Sequence, residues 1–406
     1  MKKIIYVSRA GLPIDAPGIR IKQIGNLLES IGYQIHYICN RRIGHDEEFA
    51  GFDKAISTPE LCLNQNEIHF QYGNKIYSYL KPFRGGKINA LRETIEIITA
   101  ARVYRRVKSY CVQEKPAVII LYNDVYGLTK KLSAFCKKNH IRLIADVTEW
   151  YEKRENASFG EKLVIGLTNR RIQKLDRKLD GIIAVSRFFE DYYREQGANC
   201  IWIPPLMDIK SSFKPQKYEY DIKKPSINFV YAGSPGSKDI LAPFMEALVD
   251  ANRVKRRFRL DIIGIDEDYF TKINVGKSLS NGVYAHGRMS HEQTMEYIRH
   301  ADFGILFRKN ERYAKAGFST KFAECMSCGV PMMCNYVGGT DILIRDGENG
   351  ILTKSYAKYE LREALERISG MDENKLLSMK VAAYADACQY FSAENSRDRL
   401  KELISN

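Results

Sequence analysis

The sequence predicts two doubly wound, Rossmann-like α/β domains, in which helices cover both faces of a parallel β-sheet. Short apolar runs alternate with longer stretches of helical periodicity, and this alternation is typical of parallel sheets. It is interrupted once, after Ile203, by more than twenty residues rich in proline and charge. The 406 residues also suit two or three domains at roughly 150 residues each. We therefore place a first domain at 1–203 and a second at 204–390.

Eleven apolar runs are the predicted strands. In the first domain they are KIIYV, QIHYIC, AVIIL, RLIADV, GIIAV and CIWI, and in the second they are INFVYA, FRLDIIGI, GVYAHG, DFGILF and PMMCN. No period of 20 to 50 residues recurs along the chain, so a repeat protein is disfavoured.

A strand, a glycine-bearing loop and a helix open the chain. Ile21, Ile24, Leu28 and Ile31 have helical spacing, and we expect their helix to begin just after Gly18. A backbone N–H at that point can approach an anion, favoured by the positive end of the helix. The loop lacks the Gly-x-Gly-x-x-Gly spacing of dinucleotide sites, and a plain tight turn is an equally good interpretation.

Composition excludes several classes of protein. No apolar run reaches the roughly 18 residues of a spanning helix, and the apolar stretch after Lys2 and Lys3 is too short for a signal peptide. Nine scattered cysteines favour a reduced compartment, so we expect a cytoplasmic protein.

Cys325 and Cys328 have Cys-x-x-Cys spacing without a second pair, and the histidines form no ligand pattern. We predict packing cysteines and no metal site.

The positive charge lies mainly in the first half. Residues 1–200 carry 33 Lys and Arg against 22 Asp and Glu, and so hold +11 of the net charge of +14. Such a surface attracts nucleic acid, anionic lipid or phosphorylated molecules, and charge alone does not choose among them. Two segments concentrate it: Arg102, Arg105, Arg106 and Lys108, and then Arg170, Arg171, Lys174, Arg177 and Lys178. We expect residues 170, 174 and 178 on one helix face; the alternative is a solvated face paired with Asp176 and Asp180.

The second half carries two phosphate-binding features. Ser319 or Thr320 is a natural N-cap, and a helix beginning near Lys321 would offer free amides to a phosphate. Glu324, one turn later, is close enough to accept hydrogen bonds from a ribose diol, although an exposed helix glutamate is the alternative. The segment YAGSPGSKD places Lys238 at the carboxyl end of a strand, where open α/β sheets bind ligands. Together these features indicate a nucleoside diphosphate.

The ordered segments resemble the GT-B glycosyltransferases, specifically the retaining family four (glycosyl transferases group 1) type. The resemblance covers nearly the whole chain. It rests on the opening loop and helix, LDGIIAVSRFFEDYY, IPPLMD, YAGSPGSKD, VYAHGRMSHEQTMEYIRHADFGILF, KFAECMSCGVPMMCN and RDGENGIL, in the family's order.

The resemblance implies particular roles. Glu324 matches the second glutamate of the family's Glu-x7-Glu motif, which holds the nucleotide ribose, and Lys238 resembles the lysine at the donor diphosphate. Three positions depart from the family: Ala316 replaces the first glutamate, Ser234 replaces an arginine, and no histidine occurs in IADVTEWYE. We expect Arg308 or Lys315 to replace that arginine, since a cation stabilises the departing nucleotide. Glu149 is the candidate for orienting the acceptor or the donor sugar.

Three sets of candidate residues result. The catalytic candidates are Glu149, Lys238 and Glu324. The donor-binding candidates are Gly18, Gly233, Ser234, Lys238, Arg288, Arg308, Lys315, Gly317, Phe318, Ser319, Thr320, Lys321 and Glu324. The acceptor-binding candidates are Arg20, Asn123, Asp146, Thr148 and Glu149.

The resemblance also implies an activity. It implies two domains facing each other across a cleft, with a C-terminal helix at 391–406 returning to the first domain. The expected reaction moves a sugar, of hexosyl type, from a nucleotide-diphosphate sugar to a glycan or lipid-linked acceptor in polysaccharide or glycolipid biosynthesis. Retention of configuration, no metal and no other cofactor are expected, as is peripheral attachment to the inner membrane face. A nucleotide-sugar epimerase of GT-B architecture is the alternative; the ordered motifs disfavour a nucleic-acid-binding protein.

Overall fold

The structure, a computed structural model, describes residues 2–8, 16–39, 62–63, 67–72, 75–80, 87–152, 158–209, 226–236, 238–254, 257–266 and 281–405. The described residues form two compact units. One lies within Met1–Ile203 and Ser396–Asn406, and the other within Pro204–Asn395. The loop predicted before the first helix and most of the segment predicted as a linker lie outside the described residues.

The first unit is built on a sheet of nine described strands. They are β1 (Lys2–Ser8), β2 (Tyr33–Cys39), β3 (Cys62–Leu63), β4 (Glu67–Tyr72), β5 (Lys75–Leu80), β6 (Val118–Tyr122), β7 (Arg142–Val147), β8 (Gly181–Ala184) and β9 (Cys200–Trp202). Their order is β3-β4-β5-β2-β1-β6-β7-β8-β9. All neighbours pair in parallel except β3 with β4 and β4 with β5, which are antiparallel.

Helices connect these strands. They are α1 (Ala16–Ser30), α2 (Lys87–Thr99), α3 (Ala101–Glu114), α4 (Tyr126–Asn139), α5 (Phe159–Lys174) and α6 (Arg187–Arg194), with a 3₁₀ turn at Asp176–Lys178. Ser158 and Glu161 form a capping box at the start of α5, which satisfies two otherwise unpaired N–H groups. The central strands are largely buried, β6 over its whole length and β1 from Ile4 to Ser8, because helices on both faces exclude water.

The second unit is built on six parallel strands. They are β10 (Ile227–Ala232), β11 (Phe258–Ile263), β12 (Val283–Ala285), β13 (Phe303–Leu306), β14 (Met332–Asn335) and β15 (Gly350–Thr353), in the order β12-β11-β10-β13-β14-β15. Its helices are α7 (Ala242–Val254), α8 (His291–Arg299), α9 (Arg312–Ala316), α10 (Thr320–Ser327), α11 (Lys358–Ser369) and α12 (Glu373–Phe391), with a 3₁₀ turn at Thr340–Leu343. Phe229, Phe244, Phe258 and Phe303 pack together in its core.

The last helix, α13 (Ala393–Ser405), belongs to the first unit from Ser396 onward. Its residues Leu400, Leu403 and Ile404 are buried. A Cβ atom at Gly181 on β8 would lie 2.8 Å from Leu403 Cδ1, so the glycine allows this helix to pack closely on the sheet.

The predicted fold class is confirmed, and all eleven predicted strands are present. Three strands in the first unit, β3 to β5, were not predicted, and neither was β15. A signal for β4 and β5 does exist: the two apolar-aromatic runs flank Gly73-Asn74, a dipeptide that favours a hairpin. The edge strand β15 is short and follows a glycine-rich loop. Its four residues are too few to show the apolar pattern that predicts a strand.

One predicted helix start is wrong. The first helix begins at Ala16, so Gly18 is its third residue and is buried. Gly18 therefore lies within the first turn of α1 instead of preceding it. The predicted apolar face is present, because Ile21, Ile24 and Leu28 are buried.

One of the two predicted basic patches is also corrected. Arg171 is 1% exposed, and its Nε donates to Asp176 at 3.1 Å, so it does not belong to a surface patch. Since α5 ends at Lys174, Lys178 does not continue the same helix face. Arg170, Lys174 and Lys178 are nevertheless each exposed.

Among the helices of the described ranges, none combines the length and the apolar composition needed to cross a lipid bilayer.

Gly25→Ala should destabilise the protein. A Cβ atom there would overlap the hydroxyl of Tyr37 on β2, and that ring is fixed by stacking on Tyr6 and Tyr77. Overpacking of this kind costs about 1–3 kcal/mol, measurable as a lower urea midpoint. Gly166→Ala in α5 is the control, because its Cβ meets nothing within 4 Å and a helical alanine is favoured by up to about 1 kcal/mol. Equal midpoints for the two variants would contradict the prediction.

Candidate functional site

Polar residues of the second unit meet at the carboxyl ends of its central strands. Asp239 follows β10, Arg308 follows β13, and Asn335 ends β14. The backbone N–H of Arg308 donates to Asn335 Oδ1 at 2.8 Å, and Asn335 Nδ2 donates back to the Arg308 carbonyl at 3.0 Å. This end of an open parallel sheet is the usual ligand-binding edge.

Asp239 is the centre of this polar group. Its side chain is 2% exposed and accepts hydrogen bonds from Arg308 Nε at 2.8 Å, Lys321 Nζ at 2.9 Å and the Tyr231 hydroxyl at 2.8 Å. Burial acts to raise the pKa of Asp239, but Arg308 and Lys321 outweigh it and hold that pKa below its usual value. The carboxylate is therefore ionised at neutral pH and fixes two cations at the sheet end.

Two glycines bring backbone segments close together beside this group. Gly233 has a φ of +119° and Gly264 a φ of +102°, both in the region that favours glycine. A Cβ atom at Gly264 would lie 3.0 Å from the Gly233 backbone, and one at Gly233 would lie 2.7 Å from Lys321 Cε. Both positions therefore need glycine, and the Lys321 side chain lies directly over Gly233.

The helix predicted after Ser319 is present, and it begins at Thr320 as α10. Ser319 is its N-cap by backbone position, but its side chain makes no capping hydrogen bond. The Ser319 Oγ is buried and has no hydrogen-bond partner within the described residues. Because a buried hydroxyl without a partner is costly, this oxygen marks a position where a ligand would restore a hydrogen bond.

The preceding loop is tied to the strand ends. The Tyr313 hydroxyl of α9 donates to the Lys238 carbonyl at 2.8 Å, which connects α9 to the loop after β10. Gly317 ends α9 through a hydrogen bond from its N–H to the Tyr313 carbonyl. Ala316, the position at which the sequence resemblance implies a glutamate, is fully buried.

Glu324 lies on α10, one turn beyond the helix start. Its side chain is half-buried, and no donor to its carboxylate is found in the part of the chain that the structure describes. Burial raises the pKa of Glu324, while His291 and Lys321 act in the opposite direction. A partly desolvated carboxylate of this kind is suited to accept hydrogen bonds from a ligand.

The other donor candidates differ in their surroundings. Ser234 and Arg288 are exposed, and Lys238, Lys315 and Thr320 are half-buried. Phe318 packs edge-to-face against Phe322 and Phe391, with ring centroids 6.0 and 5.7 Å away. Gly18 lies in the first unit and is not part of this group.

In the first unit, Arg20 and Asp146 are brought together as a buried ion pair. Arg20 donates to Asp146 through Nε and a terminal nitrogen, at 3.1 and 2.8 Å, and to the Ile203 carbonyl at 2.9 Å. Asp146 also accepts from the Tyr6 hydroxyl at 2.6 Å and is fully buried. The two side chains are therefore occupied with each other and connect α1 to the ends of β7 and β9.

Asn123 and Thr148 lie beside this pair, after β6 and β7. Asn123 has a φ of +43°, which asparagine tolerates better than most residues. Its amide nitrogen donates to Thr148 Oγ1, and its amide oxygen accepts from the Thr148 N–H at 3.0 Å. Thr148 is buried, so Asn123 and Glu149, both half-buried, are the more accessible acceptor candidates.

Cys325 and Cys328 carry free thiols within α10 and directly after it. Both are buried, and burial raises the pKa of Cys328 to about 12. The described ranges contain no cluster of three or more His, Cys, Asp or Glu able to hold a metal ion.

Sequence reasoning missed Asp239, Tyr231 and Asn335. Asp239 follows Lys238 directly in YAGSPGSKD, and an acidic residue beside a predicted phosphate site was a usable signal. Tyr231 and Asn335 gave none, because each is an ordinary strand residue until its neighbours are known.

Residues 227–370 match the family described as glycosyl transferases group 1. An uncharacterized glycosyltransferase of Methanocaldococcus jannaschii is 24% identical over 230 residues, 54% of this chain and 55% of that protein. The chain thus spans about half the length of this curated relative.

Two solved structures are similar over nearly their whole length. Sucrose-phosphate synthase from Thermosynechococcus elongatus has a TM-score of 0.66 at 15% identity, covering 99% of this chain and 98% of that one. Anabaena HepE, in a complex with UDP and glucose, has a TM-score of 0.65 at 15% identity and is covered completely, as is this chain.

The chain therefore has the GT-B fold of two Rossmann-like units. Residues 227–370 of its second unit match the model of the glycosyl transferases of group 1. The resemblance predicted from the sequence is confirmed.

Glu324→Gln should stabilise the unliganded protein at alkaline pH. Because the folded pKa of Glu324 is raised, the folded chain binds this proton more tightly than the unfolded chain. The carboxylate therefore costs stability as pH rises through its folded pKa. We expect the variant to gain roughly 0.5–2 kcal/mol at pH 8, the usual range for a stabilising substitution, and nothing near pH 4, below the usual glutamate value of about 4.3.

The measurement is urea unfolding at the two pH values. Glu366→Gln on α11, where the side chain is exposed, is the control and should change stability little at either pH. A loss of stability in Glu324→Gln at pH 8 would contradict the burial argument.

Proposed function

We propose that this protein transfers a sugar from a nucleotide-diphosphate sugar to an acceptor. The group 1 family match over residues 227–370 and the GT-B fold support a glycosyltransferase. HepE, which shares that fold, is described in complex with UDP and glucose, and this supports a nucleotide-sugar donor.

The observation that carries the proposal is the start of α10. The buried Ser319 Oγ has no hydrogen-bond partner within the described residues. No side chain caps the first N–H groups of the helix, and Lys321 lies in its first turn. A helix of eight residues that begins with free amides, a hydroxyl and a cation favours a phosphate. We assign the donor diphosphate to this position and to Lys238.

Glu324 has the position and chemistry for the nucleotide ribose. It is one turn along the same helix, and its carboxylate has no donor among the described residues. Two ribose hydroxyls would donate hydrogen bonds to this carboxylate and so offset the free energy that its desolvation costs. Base, ribose and diphosphate would then follow one another along the carboxyl edge of the second sheet.

The finer features of the reaction also belong to the proposal. We infer retention of configuration without a metal, with the leaving phosphate taking the acceptor proton, and a hexose as the transferred sugar. We assign acceptor contacts to Asn123 and Glu149 in the first unit, with Glu149 orienting the acceptor or the donor sugar. The acceptor is a glycan or lipid-linked glycan of polysaccharide or glycolipid biosynthesis.

A ligand screen tests the donor site. The thermal shift of the protein is measured with UDP, GDP, ADP and their common sugars, since a ligand at 100 times its Kd stabilises by about 2.7 kcal/mol. Ser319→Ala removes one hydrogen bond to a charged group, worth about 1.5–3 kcal/mol, so its affinity for the diphosphate should fall roughly tenfold or more without loss of unliganded stability.

Ser327→Ala is the matched control. Its Oγ is also buried without a partner in the described ranges, but it lies at the other end of α10, so nucleotide affinity should be unchanged. Product analysis with the donor that binds best then tests transfer. Release of an isomerised sugar without any acceptor would instead indicate an epimerase, and absence of a shift with every nucleotide would refute the proposal.

We also propose that the first unit associates with anionic membrane surfaces. Helix α4 packs against α2, α3 and α5, and these helices expose basic residues together with apolar ones. The exposed basic residues include Arg105, Lys108, Lys130, Lys137, Lys138, Arg170 and Lys174. Phe159 is 77% exposed and Val112 73%. Near an anionic leaflet each such charge contributes about 1 kcal/mol.

Reversing charge at Arg170, Lys174 and Lys178 should weaken vesicle binding. The triple glutamate variant would lose about 3 kcal/mol from this surface alone, more than a hundredfold in affinity. Co-sedimentation with phosphatidylserine vesicles at low salt measures the loss, and neutral vesicles give the baseline. Glutamates at Lys354, Arg362 and Lys375, exposed in the second unit, make the control; no wild-type binding to anionic vesicles would contradict the proposal.

A further inference from the structure

Asp239 holds two cations, and these two are not equivalent. Arg308 has a side chain only 10% exposed, its Nε is used by Asp239, and its backbone is fixed by Asn335. Lys321 is 17% exposed and lies in the first turn of the helix to which the proposed function assigns a phosphate. Arg308 is the less exposed of the two and follows β13, whereas Lys321 is the more exposed and lies in the first turn of α10, where the proposed function places the phosphate.

The position of Lys321 is defined on two sides. Its Nζ donates to Asp239 at 2.9 Å and lies 5.0 Å from the centroid of the Tyr231 ring. Its Cε lies where a side chain at Gly233 would begin. An ammonium has three donor hydrogens, and Asp239 takes one of them, so the others remain for a ligand over the loop after β10.

That loop itself lacks a cation beside Gly233. The next residue is Ser234, which is exposed, so no charge from position 234 competes for the space above the glycine. The Lys321 side chain, which comes from the first turn of α10, occupies that space. The cation over Gly233 is thus supplied by the helix, in addition to Lys238 in the loop after β10.

We propose that Lys321 is the principal cation for the donor diphosphate, and that Asp239 is the positioning residue that holds it over Gly233. This assignment rests on the proposed function. It differs from the expectation that Arg308 or Lys315 fills this role, because Lys321 is the cation that lies over Gly233 and in the first turn of α10, whereas Arg308 follows β13 and Lys315 lies on α9. The role of Asp239 is then to fix the direction of the Lys321 side chain, which is flexible without that carboxylate.

The test compares Lys321→Ala with wild type for binding of UDP, GDP, ADP and the matching nucleosides, by calorimetry. Loss of a charge-assisted contact should weaken the diphosphate tenfold or more, whereas the nucleoside should change less than twofold. Lys309→Ala is the control for charge alone, because this exposed lysine neighbours Arg308 and its ammonium makes no hydrogen bond or ion pair with a site residue among the described residues.

A rescue variant separates a ligand role from a structural one. In Lys321→Ala the space over Gly233 is open, and Ser234→Arg adds a guanidinium next to it, which can bind phosphate through two donors. The double variant should recover most of the diphosphate affinity. A merely structural lysine would not be rescued, since arginine at 234 does not rebuild the contact with Asp239.

The outcomes are distinct. Equal losses for diphosphate and nucleoside in Lys321→Ala, or selective loss in Lys315→Ala alone, would overturn the assignment and leave the proposed function intact. Failure of the wild-type protein to bind any of the three nucleoside diphosphates would overturn both. Selective loss with recovery by Ser234→Arg supports both.

Discussion

The carboxylate of Asp239 organises the polar end of the second unit. It joins the loop after β10 to Arg308 after β13 and to Lys321 at the start of α10, through hydrogen bonds of 2.8–2.9 Å. Removing one partner from a buried ion pair typically costs about 3–5 kcal/mol, because the other charge remains buried. The same group of residues thus contributes to stability and determines where the positive charge of the site lies.

Buried aspartates connect segments elsewhere in the chain too. In the first unit Asp146 connects Arg20 of α1 with Tyr6 of β1, and in the second unit Asp302 accepts from Lys380 of α12 at 3.0 Å. Each of these pairs joins segments that are distant in sequence. In each pair the two charged groups lose their hydration and are instead held by each other in a fixed geometry. We interpret these pairs as devices that specify how helices meet strand ends, since hydrophobic burial alone has no direction.

The candidate donor site combines such fixed groups with unsatisfied ones. Ser319 Oγ and the carboxylate of Glu324 have no partners within the described residues, and burial raises the pKa of Glu324. Perturbed or unsatisfied groups concentrate at functional sites, where a ligand completes them. The fold is shared with proteins at 15% identity, whereas Ala316 and Ser234 depart from the motifs on which the sequence resemblance rests.

The sequence by itself determined the two parallel sheets, the helix that begins after Ser319 and the place of Glu324 on it. These follow from periodicity and capping, which act over a few neighbouring residues. Only the tertiary structure decided that Arg171 is buried against Asp176, that Arg20 and Asp146 are occupied with each other, and that Lys321 covers Gly233. The reason is that these outcomes depend on which charged groups meet: a lysine or arginine has the same helical pattern whether it faces water or a carboxylate. Partners as distant as residues 239 and 321 are identified only when the loop after β10 and the helix α10 are placed together in the second unit.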